Sequence, residues 1–495
     1  MRWNYRHDNS WQTPTIKRRK NGQWVTIDSG SSSSDRGNDL SRFYMDRPPE
    51  RSGDRIDASN YSSLQAAHDA LSEGDTLFIP SGTYVERFTI SQDHITIESN
   101  DAWVVQPDNN ETHAVGMGDP GHNSDASLVG SHDNGDKVIR VSDASPFSIG
   151  DDIYIAEYRR PYGEPQSGGA SGADTTHEYR TVTSVDPTND TITVHYPILL
   201  PYPNIENTEV GVMDWFAEDV HITGLNIRGT DPTDRPDSRP FQIQGGKDVW
   251  ADNMQIEDGG RNAMYVSRSM RTRLDQIDLG PSQQYGINVF HGSTHTMITN
   301  VTANNIGRYA VRFGIGGGTS RCSSDGYVDG VTGINGDSSF VTNVHWGGFF
   351  VNFYNVEATA SKVLRIRSRH ITLDGFESYG NSQNEFATRQ RPFHCTVKNG
   401  NIYNKQDGLV FLMNLRGEDG GVYGNERGGD LTFENISIEP YGDRDITEIG
   451  FFHENCEIDG LHFKNITYDG QQLERPHVES WANYDSANIT NLTVD

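Results

Sequence analysis

The sequence has few cysteines and lacks any long apolar run. Three cysteines, Cys322, Cys395 and Cys456, occur among 495 residues without a Cys-x-x-Cys pair. This argues against a disulfide framework and a zinc site, and it predicts buried free thiols. No stretch of about 18 apolar residues is present, so we predict no membrane insertion. The opening MRWNYRHD contains no apolar segment of the kind found in signal peptides, and we predict none.

Lysine is also scarce, and the charge balance is strongly acidic. The chain has 8 Lys against 33 Arg and 45 Asp against 24 Glu, for a net charge of −28. An acidic surface disfavours nucleic acid as a partner. The composition resembles that of proteins from salt-in halophilic archaea, in which carboxylates keep the surface hydrated in molar salt. An ordinary acidic protein is the alternative.

The amino-terminal segment differs from the rest because residues 1–55 carry a net charge of +4. Two short extended runs flank Asn21-Gly22, which predicts a hairpin over residues 1–28. A lone hairpin is marginally stable in water, so this basic one is expected to anchor to another protein, with a solvated or disordered segment as the alternative. Residues 29–55 have the composition of a polar linker. The residues expected to dock are Trp11, Lys17, Arg18, Arg19, Lys20 and Trp24.

Residues 56–125 begin a different kind of structure. A Ser-capped helical pattern over 62–71 is followed by short alternating strands. The stretch SLQAAHDALSEGDTLFIPSGTYVERFTISQDHITIES resembles the opening of pectate-lyase-like right-handed parallel β-helix proteins, in which the short helix caps the coil. The resemblance implies an all-β fold and says nothing about activity.

A repeat supports the β-helix prediction for residues 214–495. A strand followed by Asp, Asn or Gly and then apolar, any, apolar recurs about every 27 residues. Coils of a solenoid bury their inner faces only against one another, which explains such a repeat. A β-sandwich does not predict one shared motif at this interval. The motifs centre on Leu225, Met254, Ile277, Val301, Val331, Val356, Phe376, Gly400, Ile436, Leu461 and Leu492.

Residues 126–213 interrupt this repeat. Strand patterns separated by turn residues, such as those on either side of Asp186-Pro-Thr-Asn-Asp190, predict a small antiparallel β insertion. Its phrases FSIGDDIYI and TVTSVDPTNDTITV resemble insertions in viral spike β-helices.

No catalytic motif of the family can be carried over. The polygalacturonase-like branch is marked by Asn-x-Asp, Asp-Asp, Gly-His-Gly and Arg-x-Lys. Here the only Asp-Asp, Asp151-Asp152, lies in the insertion, Gly-His-Gly is absent, and Arg365-Ile-Arg367 stands in place of Arg-x-Lys with nothing upstream to match. Whether the protein is an enzyme stays open. Glycoside hydrolysis needs two carboxylates beside a groove. The candidates in turns after coil strands are Glu257, Asp258 and Glu385, with solvated surface carboxylates as the alternative. We predict no metal site and no cofactor.

Two aromatic residues are candidates for glycan binding, because aromatic faces stack on sugars. Trp346 lies in the densest aromatic run, residues 345–354, and Tyr379 follows a coil strand. Core packing or a subunit contact is the alternative interpretation of the aromatic run.

A basic anchor, a linker, a β-helix and no secretion signal together resemble a tail spike, tail fibre or capsid spike of a haloarchaeal virus. The resemblance implies a virion protein, made in the host cytoplasm, that docks on other virion proteins and attaches to a host glycan or S-layer glycoprotein. The alternatives are a polysaccharide-depolymerising glycosidase or lyase and a non-enzymatic vertex decoration. The chain ends in a strand pattern without an evident cap, which predicts a homo-oligomer, with a trimer favoured, or a covering partner.

Overall fold

The structure is a computed structural model, and it has two compact units, Met1–Ser41 and Arg42–Asp495. It describes residues 16–20, 23–27, 51–107, 113–157, 176–202, 208–230, 238–314, 323–334, 340–345, 348–380, 385–388, 392–405, 409–413, 427–442, 445–453 and 456–495. In the first unit, β1 (Ile16–Lys20) and β2 (Gln23–Ile27) pair antiparallel, with Lys20 opposite Gln23. These strands flank the Asn21-Gly22 dipeptide at which the hairpin is predicted.

The second unit is a parallel β-helix, which confirms the predicted fold class. Its first sheet has 16 strands and runs the length of the unit, almost entirely in parallel register. The strands of this sheet between Ala217 and Tyr468 have 9 to 14 residues each, because each continues through a bend. The strands are β3 (Arg55–Asp57), β4 (Thr76–Ile79), β5 (Gly82–Val85), β7 (Ile95–Val105), β15 (Ala217–Arg228), β17 (Gly246–Glu257), β19 (Met270–Leu279), β21 (Thr294–Asn304), β23 (Ser323–Ile334), β25 (Gly348–Thr359), β27 (Ile371–Tyr379), β29 (Phe393–Lys405), β31 (Arg427–Pro440), β33 (Glu457–Tyr468), β34 (Gln471–Gln472) and β35 (Asn488–Val494).

The second sheet has 11 shorter parallel strands, one from each coil. Its inner side chains and those of the first sheet form one continuous apolar core. Each coil contributes only a few residues to this core, so neighbouring coils must stack to bury them. The strands are β6 (Phe88–Thr89), β8 (Val115–Gly116), β16 (Phe241–Gln244), β18 (Asn262–Ser267), β20 (Tyr285–Phe290), β22 (Tyr309–Phe313), β24 (Phe340–Val344), β26 (Lys362–Ile366), β28 (Phe386–Thr388), β30 (Phe411–Met413) and β32 (Gly450–Phe452).

The repeated motif marks a bend in the long strands. At this bend the residue before the apolar position has positive φ, a conformation that Gly, Asn and Asp adopt most readily. Asparagines there form a ladder between coils, in which Asn435 Nδ2 donates to Asn399 Oδ1 at 3.0 Å and Asn465 Nδ2 to Asn435 Oδ1 at 2.9 Å. The asparagines at the bend therefore both turn the chain and link successive coils through hydrogen bonds.

Nine of the eleven predicted motifs align in register, and the last two do not. Leu461 pairs with Leu431 and Leu492 pairs with Leu461, whereas the coil equivalent of Ile436 is Ile466. The alignment of these two motifs was wrong because each coil has two positive-φ bends five residues apart. In the stretch DLTFENISI, both bends read as a turn residue followed by an apolar residue.

A six-stranded antiparallel sheet lies against the coils where the repeat is interrupted. Its apolar core also contains Phe349 of β25, so the sheet and the coils pack together. It is tied to the coils by Lys247, whose Nζ lies 2.7 Å from Asp152 Oδ2. The strands are β9 (Gly121–His122), β10 (Val138–Arg140), β11 (Asp152–Glu157), β12 (Thr176–Asp186), β13 (Thr191–Val194) and β14 (Thr208–Asp214).

The two ends of the core are covered by short helical segments. Helix α1 (Leu64–His68) is capped by Ser63, whose Oγ accepts from the Ala66 amide, and it buries Leu64 and Ala67. At the other end, the segment with helix α2 (Arg475–Glu479) places Trp481 on the last coils. Among the described strands β35 pairs only with β33, so the expected open edge at this end, and the oligomer contact inferred from it, stay predictions. Three-residue 3-10 helices are Ala58–Asn60, Ile446–Glu448 and Tyr484–Ser486.

The prediction of buried free thiols is confirmed for Cys395 and Cys456. Burial raises the pKa of Cys395 to about 12 and that of Cys456 to about 11, so both stay protonated and unreactive at neutral pH. Cys322 lies outside the described residues. Within the described part of the chain, no helix is long and apolar enough to cross a membrane.

A stack of rings that includes His370, at the first of the two bends of its coil, predicts that the stability of the protein falls in acid. The His370 ring is stacked between Phe350 and His394, with centroid distances of 4.4 and 4.9 Å. Burial, followed by the charges of His394 and Arg369, lowers the pKa of His370 to about 4. In an unfolded chain it is about 6.5, so the unfolded state binds more protons between these values. The free energy of unfolding should therefore fall as the pH drops from about 6.5 to 4.

The variant His370→Phe tests this expectation, since Phe350 occupies the equivalent position of the preceding coil with φ of 56°. We expect it to lose less thermal stability than the wild type when the pH is lowered from 7 to 4.5. Melting temperatures of both proteins across this range give the comparison. Parallel pH curves for the two proteins would show that His370 does not contribute.

Candidate functional site

Glu257 and Asp258 lie at the end of β17 and share one arginine. Arg228, the register partner of Glu257 on the preceding coil, donates from Nε and Nη2 to Glu257 Oε2 at 3.1 and 2.9 Å. Asp258 Oδ2 lies 3.9 Å from Arg228 Nε, and the guanidinium sits 4.4 Å above the Trp103 ring. The two predicted carboxylates therefore belong to a partly exposed ion-pair cluster beside an aromatic ring.

Glu385 is placed differently, in the interior. It is fully buried, Ser378 Oγ donates to its Oε2 at 2.9 Å, and Lys405 Nζ lies 3.7 Å from its Oε1. Glu385 follows β27, five coils beyond Glu257 in β17, which at about 4.8 Å per coil is ~24 Å. The structure does not bring Glu385 together with Glu257 and Asp258.

Tyr379 lies on the outer face of the long sheet, where it stacks on Tyr403 of the next coil. The ring centroids are 5.0 Å apart with an interplanar angle of 14°, and both side chains are half-buried. We call these two residues the tyrosine platform. Tyr379 Oη donates to Glu377 Oε2 at 2.5 Å. Trp346, the other glycan-binding candidate, lies outside the described residues.

Carboxylates lie near the tyrosine platform and further disfavour ionisation of its hydroxyl groups. The hydrogen bond to Glu377, together with burial and the charges of Glu377 and Glu357, raises the pKa of Tyr379. Burial and the charges of Glu377 and Glu439 raise the pKa of Tyr403. The exposed parts of these two mutually stacked phenol rings can contact the C–H groups of a sugar while the carboxylates accept hydrogen bonds from its hydroxyl groups.

Sequence reasoning found Tyr379 and missed Tyr403, although a signal was present. The motifs at Phe376 and Gly400 are 24 residues apart, and each tyrosine follows its motif position by three residues. Since Phe376 and Gly400 are register partners, Tyr379 and Tyr403 must be neighbours. Aligning the repeats and comparing the outward positions coil by coil would have found the pair.

A second cluster of polar and aromatic side chains lies on the short sheet, and no pattern in the sequence predicts it. A cavity of about 120 Å³ lies over β18, β20 and β22. We call it the arginine cavity. The described residues that line it include three arginines and no aspartate or glutamate: Arg239, Arg261, Asn262, Tyr265, Asn288, Phe290, His291 and Arg312. The loops between the two sheets vary in length, so the sequence does not show that these residues meet.

The amino-terminal docking candidates remain predictions. Lys17, Arg18, Arg19 and Lys20 lie in β1 and Trp24 in β2, whereas Trp11 is outside the described residues. No group of three or more His, Cys, Asp or Glu side chains that could hold a metal ion occurs in the ranges that the structure describes.

Comparison of the sequence with protein-family models and with curated proteins gives no match. Solved structures do match. The tailspike gp61 of Pseudomonas phage phi297 has a TM-score of 0.60 at 15% identity, covering 84% of this chain and 76% of that one. The Gp54 tailspike of Acinetobacter baumannii phage AP22, solved with a capsular saccharide, has a TM-score of 0.48 at 12% identity, covering 88% and 70%.

A Thermotoga maritima exopolygalacturonase is also similar, with a TM-score of 0.49 at 10% identity, covering 88% of this chain and 95% of that one. At such low identities the likeness concerns the fold and not the activity. The chain therefore has a parallel β-helix fold that is shared with the phage phi297 tailspike.

Proposed function

We propose that this protein is a virion spike that attaches to a host surface polysaccharide through the outer face of its β-helix. The observation that carries the proposal is the tyrosine platform with its flanking carboxylates. The two rings cover each other's facing sides, so a sugar would meet their half-exposed outer parts and the flanking carboxylates, with its C–H groups against the rings and its hydroxyl groups against the carboxylates. The likeness in fold to the phage phi297 tailspike supports the assignment to a spike.

The remaining parts of the proposal concern assembly and source. The basic amino-terminal hairpin would dock on other virion proteins, and the β-helix would assemble as a homo-oligomer, with a trimer favoured. The abundance of Asp over Glu and of Arg over Lys supports a halophilic archaeal host. Binding should therefore be measured in molar salt.

Substitution of the tyrosine platform tests the attachment function. We expect Tyr379→Ala with Tyr403→Ala to weaken retention on host cell envelopes about tenfold or more, the loss of a contact worth 1.4 kcal/mol or more. Tyr61→Ala is the matched control, because Tyr61 is 38% exposed and lies beside the first coils, far along the β-helix from the platform. The measurement is sedimentation of purified protein with envelopes over a concentration series. Equal retention of all variants would contradict the proposed site.

A second candidate function is cleavage of the bound polysaccharide, favoured by one observation. Glu357 and Glu377 occupy the same register position on adjacent coils, beside Tyr379. Coils are about 4.8 Å apart, close to the carboxyl separation of roughly 5–5.5 Å in retaining glycosidases. Analysis of the envelope supernatant for released oligosaccharides distinguishes the two functions. Release that Glu377→Gln abolishes would establish cleavage, and retention without release would establish attachment alone.

A further inference from the structure

We propose that the glycan bound at the tyrosine platform is a long, uncharged polysaccharide chain that lies along the axis of the β-helix and reaches a second contact site around Trp103. This assignment rests on the proposed function, which makes the platform a glycan contact. The second site consists of Val85, Trp103, Val105 and Arg228, and we call it the tryptophan patch.

The tryptophan patch lies on the outer face of the long sheet, on its first coils. Val85 pairs with Val105, and Val105 pairs with Arg228, so these three side chains form one outward row. Val85 is 65% exposed, and Val105 and the neighbouring Trp103 are half-buried. Apolar side chains that are exposed together mark an interaction surface, whereas single ones do not.

Arg228 equips the patch to bind a sugar. Its guanidinium lies 4.4 Å from the Trp103 ring centroid and donates from Nε and Nη2 to Glu257. Its Nη1 makes no hydrogen bond to any residue that the structure describes, so this group can donate to a sugar hydroxyl. Because the guanidinium covers part of the indole, the C–H groups of a sugar would meet the exposed remainder of the ring and Val85.

The tryptophan patch and the tyrosine platform occupy the same two rows of the long sheet. The first row follows the register from coil to coil: Trp103, Asn226, Gln255, Asp278, Thr302, Thr332, Glu357 and Glu377. The second row lies two residues further along each strand: Val105, Arg228, Glu257, Gly280, Asn304, Ile334, Thr359 and Tyr379. A ligand that follows these rows crosses successive coils and therefore runs parallel to the axis.

The rows between the two sites form a path that a chain can reach. Every residue in them is exposed or half-buried, whereas outer positions before the bend, such as Trp250 and Tyr327, are 6% exposed. The middle of the path has short side chains, whose hydroxyl, amide and carboxylate groups can hydrogen-bond with a sugar. These middle residues are Asp278, Gly280, Thr302, Asn304 and Thr332.

The separation of the two sites requires a polymer. Seven steps between neighbouring coils lead from β7, which carries Trp103, to β27, which carries Tyr379. At about 4.8 Å per step this is ~34 Å, too far for one or two sugar units to touch both sites. A longer chain held at one site stays close to the other, and such linkage raises the overall affinity by ~10²–10⁴.

The charge of the path favours an uncharged polymer. Asp278, Glu357 and Glu377 are acidic, and Arg228, the one cation in the two rows, is paired with Glu257. The segments that follow these strands in the sequence outside the described residues add no net positive charge, because residues 108–112, 231–237, 335–339, 381–384 and 406–408 carry seven Asp or Glu and one Arg. Like charges brought into contact across an interface are unfavourable, so a uronate or sulfated chain is disfavoured. Neutral hydroxyl groups can instead donate to the carboxylates.

Fractions of host polysaccharide test the assignment. Polysaccharide released from purified host envelopes is separated by anion exchange into neutral and acidic fractions, and partial hydrolysis gives chains of graded length. We expect end-labelled long neutral chains to bind the protein about a hundredfold or more tighter than fragments of a few sugars, as measured by fluorescence anisotropy in molar salt. Equal affinity for long and short chains, or tighter binding of the acidic fraction, would overturn the proposal.

Two substitutions localise the second site. Trp103→Ala should weaken the binding of long chains about tenfold or more and leave the binding of short fragments at the platform unchanged. Val85→Ser should act in the same direction without risk to folding, because Val85 is 65% exposed. Phe451→Ala is the control, since Phe451 is half-buried on the outer face of the short sheet. An undiminished advantage of long chains in both folded variants would contradict the tryptophan patch.

Failure of the tryptophan patch can be told from failure of the platform. Binding that needs Tyr379 and Tyr403 but is equal for long and short chains would support attachment at the platform and overturn the second site. Binding of long chains that needs Trp103 but persists without both tyrosines would support the patch and contradict the platform. Absence of binding to envelopes and to every fraction would contradict the proposed function itself.

Discussion

Replacing Trp481 by alanine is expected to lower the free energy of unfolding of the last coils by about 3–5 kcal/mol, the usual cost of removing a large buried aromatic side chain. Trp481 is 1% exposed, and its ring stacks on Phe411 and Phe452 with centroid distances of 5.7 and 5.9 Å. Its Nε1 donates to the Ile446 carbonyl at 3.3 Å. The variant would open a cavity at the end of the core and lose this hydrogen bond.

The loss should be local at first, because coils of a solenoid contact only their neighbours. Hydrogen exchange should therefore show β32 and β33 exchanging faster while β15 to β21 remain protected. A second variant gives an independent check. In Gly450→Ala, the added Cβ would lie 1.9 Å from the Trp481 ring and displace it, with the same local effect.

Trp103→Ala is the control for the loss of an indole, because Trp103 is half-buried on the outer face against Arg228. Its effect on stability should be clearly smaller. If Trp481→Ala and Trp103→Ala lowered the melting temperature equally, Trp481 would not be a structural cap of the core.

The fold could be predicted from the sequence because it depends on local patterns. The Ser63 cap, the alternating strands and the turn residue before each apolar position all recur with the coil. Each repeat carries the same physical requirement, a tight bend followed by an inward side chain, so the requirement is visible many times. The cap at Trp481 occurs once, and nothing in the sequence around it repeats.

The candidate site was predictable only in part, for the same reason. Tyr379 and Tyr403 share a position in the repeat, so their contact follows from the register of the long sheet. Arg239, Arg261 and Arg312 come from turns and from a strand of the short sheet, with no common spacing. Their contact depends on loop lengths and tertiary packing, which a sequence pattern does not contain.

The second large expected loss of stability concerns the buried ion pair of Glu385 and Lys405. Both side chains are almost inaccessible, at 0% and 2% exposure, and Lys405 Nζ lies 3.7 Å from Glu385 Oε1. Removing one member of a buried ion pair leaves the other charge in a low-dielectric interior, which costs ~3–5 kcal/mol. We expect Lys405→Met to lower the free energy of unfolding by this amount, as measured by denaturant titration.

The double variant Lys405→Met with Glu385→Leu should recover most of that loss, because apolar replacement of a whole buried pair is often neutral. A double-mutant cycle measures the coupling between the two residues. The matched control is Arg55→Met with Glu98→Leu, an exposed pair in which Arg55 Nε lies 2.6 Å from Glu98 Oε1. Exposed pairs contribute only ~0–1 kcal/mol, so this coupling should be small.

A further variant, Glu385→Gln, decides whether Glu385 belongs to a catalytic site, as its position after a coil strand suggested. A catalytic carboxylate must reach the substrate, and Glu385 is fully buried and accepts a hydrogen bond from Ser378. We therefore expect Glu385→Gln to lower the melting temperature while the folded protein binds envelopes, and releases any sugar, as the wild type does. A variant with wild-type stability that lost sugar release would instead place Glu385 in the reaction, since only a group in contact with the substrate could have that effect.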